Sequence, residues 1–193
     1  MSRALKSLGL FLAFVVIFTL SRHALHTSTT TTSGAVATST TSSTSVALPA
    51  CSARDFRGVF NAGQGSIGTV YASVTLTKDA GPTCTLEGWP MLTLQDRTGA
   101  VLPSSTSNLP TVNSPIQFPD APANHAPTRL TVTSGDTVNF DVAYSSVPTG
   151  TQTCPSVETL SVQLAKDGPV VAITPAYPPQ PCNQGALWVS PFF

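Results

Sequence analysis

The most regular pattern in the chain is an alternation of apolar and polar residues after about residue 69. Within residues 69–77 every second position from Val70 to Leu76 is apolar, and within residues 137–144 the same holds from Val138 to Tyr144. A period of two is typical of a β-strand with one buried face. Shorter apolar runs of the same kind lie at residues 91–95, 130–133, 159–164, 170–173 and 187–189.

Turn residues separate these runs, and no window repeats its apolar positions at helical spacing. About seven or eight short strands divided by turns predict an all-β fold, an immunoglobulin-like antiparallel β-sandwich. Residues 103–128, rich in proline, asparagine and serine, are predicted to be a long connection between its two halves. We expect residues 63–68 to form a flexible glycine-rich loop, and Trp89 to pack in the core from a kinked strand at residues 84–90.

The N-terminus has the composition of an export segment. Arg3 and Lys6 precede an apolar run at residues 8–20, which as a helix is about 20 Å long against ~30 Å for a membrane core. The length favours a cleaved signal peptide, but no small-x-small cleavage site follows closely, which favours a retained signal anchor. Both readings of residues 1–26 stay open, and both place the rest of the chain outside the cytoplasm.

Residues 27–50 separate this segment from the strands. Of residues 27–47, fifteen of twenty-one are serine or threonine. Such a stretch cannot bury enough apolar surface to offset the entropy of ordering it, so we predict a disordered stalk. It is either a plain flexible linker or an O-glycosylated one. The folded domain is then residues 51–193.

Four cysteines in an exported domain predict two disulfides. Of the three possible pairings we favour Cys51–Cys84 with Cys154–Cys182, each closing a loop of about thirty residues. A bridge between the two sheets, beside Trp89, remains the alternative.

The low and slightly negative charge of the domain argues against one class of partner, nucleic acid. Charged residues are 9% of the chain, and the domain carries nine acidic and six basic residues, a net charge of −3. Because nucleic acid requires a basic surface, we expect no nucleic-acid partner.

We find no pattern of catalytic or metal-ligating residues after Cys51. His125 stands alone in a loop-like segment, where an imidazole is solvated. Asp136 falls in a turn, and Asp141 points outward by strand parity, so we expect both to be solvated. The sequence therefore predicts no catalytic residue, no metal site and no cofactor; calcium on the loops is the weakest of these exclusions.

One apolar feature could bind a partner. If Trp188, Phe192 and Phe193 are exposed together at the end of the chain, they form a patch suited to a protein. The alternative is that these side chains pack against the edge of their own domain.

Several segments together resemble a known family. They are residues 83–90 (TCTLEGWP), residues 92–96 with Gly99, the turn at 134–136, the later cysteines, and residues 187–191 (LWVSP). The chain from Cys51 to Phe193 resembles the domain of unknown function 4232 family. The resemblance implies an exported protein of actinomycete-type bacteria with an immunoglobulin-like sandwich. Many members carry a lipobox directly after the apolar run, which this chain lacks, and the family implies no activity.

These observations predict a non-catalytic binding or interaction module at the bacterial cell envelope. Its partner would be an unidentified protein or cell-wall component, and it would contact the membrane through the N-terminal segment if that is uncleaved. The alternative is a structural envelope component that the stalk holds away from the membrane. We do not expect an enzyme.

Overall fold

The computed structural model describes residues 47–111 and 114–193, and these contain ten strands and two 3₁₀ helices. The predictions for residues 1–26, and for almost all of the stalk, lie outside the described residues. The strands are β1 Phe56–Ser66, β2 Thr69–Lys78, β3 Cys84–Leu86, β4 Met91–Gln95, β5 Ser105–Asn108, β6 Leu130–Val132, β7 Thr137–Ser145, β8 Thr159–Gln163, β9 Val170–Ile173 and β10 Ala186–Val189. The 3₁₀ helices are Ala53–Asp55 and Ala121–Asn124.

The strands form an all-β structure of three sheets, which confirms the predicted fold class. One sheet has the order β1-β2-β7-β10-β5, another has the order β4-β8-β9, and β3 pairs with β6. The strand pairs are antiparallel, except that β5 runs parallel to β10. No helix in the described part of the chain is long and apolar enough to cross a membrane.

All seven strands predicted from alternation are present, with ends that differ by at most one residue. Two strands were missed. Strand β1 buries only Phe56 and Phe60 and is exposed and glycine-rich beyond them, so it shows no alternation. Strand β5 is polar and exposed throughout and lies in the predicted connection.

The main core lies between the five-stranded and three-stranded sheets, where the inward residues of the alternating strands meet. Phe192 enters this core from the C-terminus and packs edge-on against Phe140, with ring centroids 5.8 Å apart. Trp89 is only half-buried, and its indole N–H donates to the carbonyl of Leu109 at 2.7 Å. The predicted place for Trp89 in the core is therefore wrong, because the indole nitrogen takes a partner in the connection instead.

Lys78 continues the inward face of β2 and is fully buried. Its ammonium group donates to the carbonyl of Ala80, lies 3.7 Å from the carboxylate of Asp55, and sits 5.5 Å from the ring centroid of Phe56. These contacts replace the water that a buried charge loses, which explains why a lysine is tolerated at an inward position.

Both predicted disulfides are present, and the cross-sheet alternative is excluded. Cys51–Cys84 ties the entering chain to β3, where the N–H of Cys51 also donates to the carbonyl of Thr85. Cys154–Cys182 ties the segment before β8 to the proline-rich segment before β10.

The connection between β5 and β6 folds over the outer face of the five-stranded sheet. Leu109, Phe118 and Ala123 from this connection form a second apolar cluster with Ala143 of β7. Strand β7 is therefore buried on both faces from Phe140 to Tyr144.

We expect loss of the Cys154–Cys182 disulfide to destabilise the domain by about 3 kcal/mol. The bridge closes 28 residues, and the open loop would regain that entropy in the unfolded chain. Urea unfolding of the Cys154→Ser/Cys182→Ser double variant measures the change. An unchanged midpoint would contradict the expectation.

The turn between β1 and β2 should be strained by its first central residue. Ile67 has φ +49° and Gly68 has φ +81°, as a type I′ turn requires, and a β-branched residue tolerates this conformation poorly. We expect Ile67→Asn to raise the free energy of unfolding by about 1 kcal/mol. Gly68→Ala is the paired variant with the opposite expected effect. It should destabilise the domain, because alanine is strained at φ +81° and its Cβ would lie 2.9 Å from the side chain of Val147. A thermal melt of both variants tests the pair; lower stability for Ile67→Asn would refute the assignment of strain.

Candidate functional site

A cavity of about 220 Å³ opens to solvent on the outer face of the five-stranded sheet. Its walls come from β1, β2, β7 and the connection that covers them. The residues that line it are Ala62, Gly63, Gln64, Tyr71, Ala72, Ser73, Pro119, Asp120 and Asp141.

Strand register brings Asp141 to this cavity. Asp141 lies between the inward residues Phe140 and Val142, so it points to the outer face, as parity predicts. It pairs with Ser73 across β2 and β7. The prediction that Asp141 is solvated is wrong, because Asp141 lies beneath the connection and is only 2% exposed.

A β-bulge in β1 shapes one wall. Asn61 pairs with Ser73 and Gln64 with Tyr71, so two residues of β1 oppose one residue of β2. A Cβ on Gly63 would lie 1.6 Å from the carbonyl oxygen of Tyr71, so this position requires glycine. The prediction of a loop at residues 63–68 is therefore wrong: the strand runs through Ser66, and the turn contains Ile67 and Gly68.

The carboxyl group of Asp141 lacks hydrogen bonds, although the backbone N–H and carbonyl of the same residue both make them. Its N–H donates to Ser190 Oγ at 2.8 Å, and the N–H of Ser190 donates to its carbonyl at 2.9 Å. Among the described residues neither carboxyl oxygen has a hydrogen-bond partner. Buried polar groups without partners are rare in folded proteins, so this carboxyl group needs an explanation.

The pKa of Asp141 is raised to about 7, mainly by burial and also by the negative charge and the neighbouring carboxyl group of Asp120. The backbone N–H of Asp120 offsets part of this rise without completing a hydrogen bond. A carboxyl group with this pKa exchanges its proton near neutral pH.

Asp120 lies at the exposed edge of the cavity, directly before the second 3₁₀ helix. It occupies the N-cap position, yet its side chain makes no capping hydrogen bond. The side chain of Asn124 holds this turn instead: it accepts from the N–H of Phe118 at 2.8 Å and donates to the carbonyls of Phe118 and Asp120. The connection thus fixes the backbone of Asp120 while its carboxylate faces the cavity.

The two charged residues in the walls of the cavity, Asp120 and Asp141, are both acidic. The other polar lining residues are Tyr71, Ser73 and Gln64, whose side chains can both donate and accept, and the lining residues include no lysine, arginine or histidine. The site is therefore acidic and suited to groups that donate hydrogen bonds.

The predicted C-terminal patch does not form. Phe192 is 1% exposed and belongs to the main core, while Trp188 and Phe193 are half-buried against the outer cluster. The backbone of Phe193 exchanges hydrogen bonds with Asn139, and the N–H of Phe192 donates to Gly88. The chain end is thus held against its own domain, which was the alternative reading.

The other acidic candidates and His125 lie away from the cavity. Asp136 is exposed in its turn and accepts from the N–H and hydroxyl of Thr133, and these hydrogen bonds lower its pKa. His125 is exposed at the end of the second 3₁₀ helix. Within residues 47–111 and 114–193 no three histidine, cysteine or acidic side chains converge in a way that could hold a metal ion.

The model of a family described as a domain of unknown function, DUF4232, matches residues 51–192. The chain belongs to this DUF4232 family. No curated protein and no solved structure matches it.

The sequence carried a weak signal for the cavity of this DUF4232 domain. Asp141 is a charged residue in the middle of a strand whose neighbours on both sides are apolar. Such a residue marks either a solvated face or a covered site, and strand parity alone does not distinguish them. Asp120 has no comparable signal, because it lies in an irregular segment.

We expect Asp141→Asn to stabilise the DUF4232 domain at neutral pH. Because the folded pKa lies above the ordinary value of 3.8, the native state keeps a proton that the unfolded state has lost. Stability contributed by this group therefore falls as pH rises from about 4 to about 7, by up to about 4 kcal/mol. The variant should be more stable by a similar amount above pH 7 and little changed near pH 4.

Asp136→Asn is the control for this prediction. The pKa of Asp136 is lowered, so its carboxylate stabilises the fold above its ordinary pKa and loses this effect as pH falls. Its replacement should destabilise at pH 7. Urea unfolding of both variants across the pH range measures the two trends, and a stability gain for Asp141→Asn that is equal at every pH would argue against a raised pKa.

Proposed function

We propose that this DUF4232 domain is a non-catalytic binding module that holds its ligand in the cavity at Asp141. The single observation that carries the proposal is an unpartnered carboxyl group, 2% exposed, that lines a cavity open to solvent. A ligand that donates hydrogen bonds would satisfy this group and offset its cost of burial.

The preformed shape of the site supports binding. The bulge at Gly63, the hydrogen bonds of Asn124, and the backbone pairing of Asp141 with Ser190 fix the walls before any ligand arrives. A site whose walls are already ordered loses little entropy on binding.

The chemistry of the walls supports a role without catalysis. Ser73 is the hydroxyl closest in register to Asp141, and its Oγ accepts from the amide of Asn61 at 3.3 Å. An amide cannot take a proton from the hydroxyl, and among the described residues no hydrogen bond joins Ser73 to the carboxyl group of Asp141, so Ser73 is not paired with a general base.

The two disulfides are consistent with an extracytoplasmic location, since such bonds persist in oxidising compartments. We propose that the module works at the cell envelope, where the apolar N-terminal segment and the stalk would place it. Its ligand would then be a soluble molecule of that space or a group on a protein or cell-wall partner.

A screen of small fragments by ligand-observed NMR tests this function. The library contains neutral, anionic and cationic fragments, and the full-length chain is kept soluble in a nonionic detergent. We expect at least one class to bind, and Ser73→Leu, which fills the cavity, to weaken that binding about tenfold or more. Thr93→Leu, at an exposed position on β4, is the matched control and should bind as the unaltered chain does. If no fragment of any charge binds in a way that depends on Ser73, the binding function is wrong.

A further inference from the structure

We propose that the cavity takes a primary ammonium group, held between the carboxyl groups of Asp141 and Asp120. The inference rests on the proposed binding function and names the chemical class of its ligand. The ammonium group would be carried by a small organic molecule or by an exposed side chain.

The charge of the cavity selects a cation. Its two charged lining residues are both acidic, and Asp141 has no counter-charge among the residues that face it. Those facing residues are Tyr71 and Ser73 from β2, Asp120 from the connection and Ser190 from the end of β10. The attraction between a buried carboxylate and a cation is stronger than the same contact in water, because the surroundings screen it less.

The missing hydrogen bonds select a cation that donates them. Both oxygens of Asp141 lack partners, and a primary ammonium group has three N–H donors that can reach two carboxyl groups at once. A quaternary ammonium group carries the same charge but no donor, so it would leave these oxygens unsatisfied. The pKa of about 7 supports this choice, since the arriving cation would displace a loosely held proton.

The size of the cavity favours an organic cation over a metal ion. A volume of about 220 Å³ is about seven times the share of one water molecule in the liquid, which leaves room for carbon atoms beside the charged group. Ala62, Tyr71 and Pro119 supply apolar wall for those atoms. Calcium would need six to eight oxygen ligands, and the described residues bring only two carboxylates together.

The shape of the cavity also allows an ammonium group that is attached to a larger molecule to enter it. Asp120 and Gln64 are exposed at the edge of the cavity, while Asp141 is buried at its base. A four-carbon chain such as that of lysine would reach inward from the edge, with its charged end at Asp141. A free amine and a lysine side chain therefore share the same recognition chemistry.

Titration of the full-length chain in nonionic detergent tests the inference. The probes are n-butylamine, Nα-acetyl-lysine N-methylamide, choline, n-pentanol, butyrate and calcium chloride, followed by amide NMR shifts at Ser73 and Asp141. We expect the two primary amines to bind at least about tenfold more tightly than choline, pentanol or butyrate. Tighter binding of the acetyl-lysine probe would identify a peptide-borne ammonium group, and tighter binding of butylamine a free amine; both support the inference.

Three variants distinguish an effect of the two cavity carboxyl groups from an effect of the net charge of the domain. Asp141→Asn and Asp120→Asn should each weaken amine binding about tenfold or more, while Asp136→Asn, on a distant turn, should not. Asp141→Asn is expected to fold, so its loss of binding would report on the site. If the Asp136→Asn variant lost as much amine binding as the other two, the effect would come from the net charge of the domain, and the inference would be wrong.

The failures of the two proposals differ. If pentanol or butyrate binds as tightly as the amines, and Ser73→Leu abolishes that binding, the binding function stands and the ammonium inference is wrong. If calcium alone binds and excludes the amines, the site is a metal site and the inference is likewise wrong. If no probe binds, and the wider fragment screen is also empty, both proposals fail.

Discussion

Strand β7 lies between β2 and β10 and is covered on both faces, and much of the molecule depends on this position. Its inner residues Phe140 and Val142 belong to the core between the sheets. Its outer residue Ala143 lies under the connection from Leu109 to Ala123. Burial of both faces removes most of the water around the middle of β7, so its one acidic side chain loses most of its hydration.

The connection that covers β7 is itself held by a small number of specific contacts. Asn124 closes its turn with three hydrogen bonds, the indole of Trp89 donates to Leu109, and the apolar cluster anchors it to the sheet. The C-terminus adds to the same assembly, because Phe192 fills the core while Phe193 pairs with Asn139. The cavity is therefore a gap in a covering layer, and its acidic wall is built on a rigid central strand.

Two buried ionisable side chains, those of Lys78 and Asp141, differ in whether other groups compensate the cost of burying a charge. Lys78 lies at an inward position, and the carbonyl of Ala80, the carboxylate of Asp55 and the ring of Phe56 surround its ammonium group. Asp141 lies at an outward position and lacks such partners among the described residues. A fully compensated charge is typical of a structural element, whereas an uncompensated one beside a cavity is a candidate for ligand binding.

The sequence by itself determined the strands with strong alternation and the family, and it favoured the cysteine pairing that the structure has. Alternation predicts β2 and β7 because a strand's two faces repeat every second residue, and that period also predicts that Asp141 points outward. Only the tertiary structure decided what covers each face. Parity predicts that Asp141 points outward. Whether water or the connection lies there depends on how residues 109–111 and 114–128, which have no periodic pattern, fold back over the sheet. Strands β1 and β5 escaped prediction because an exposed strand receives its order from hydrogen bonds to a neighbour, and these leave no apolar pattern in the sequence.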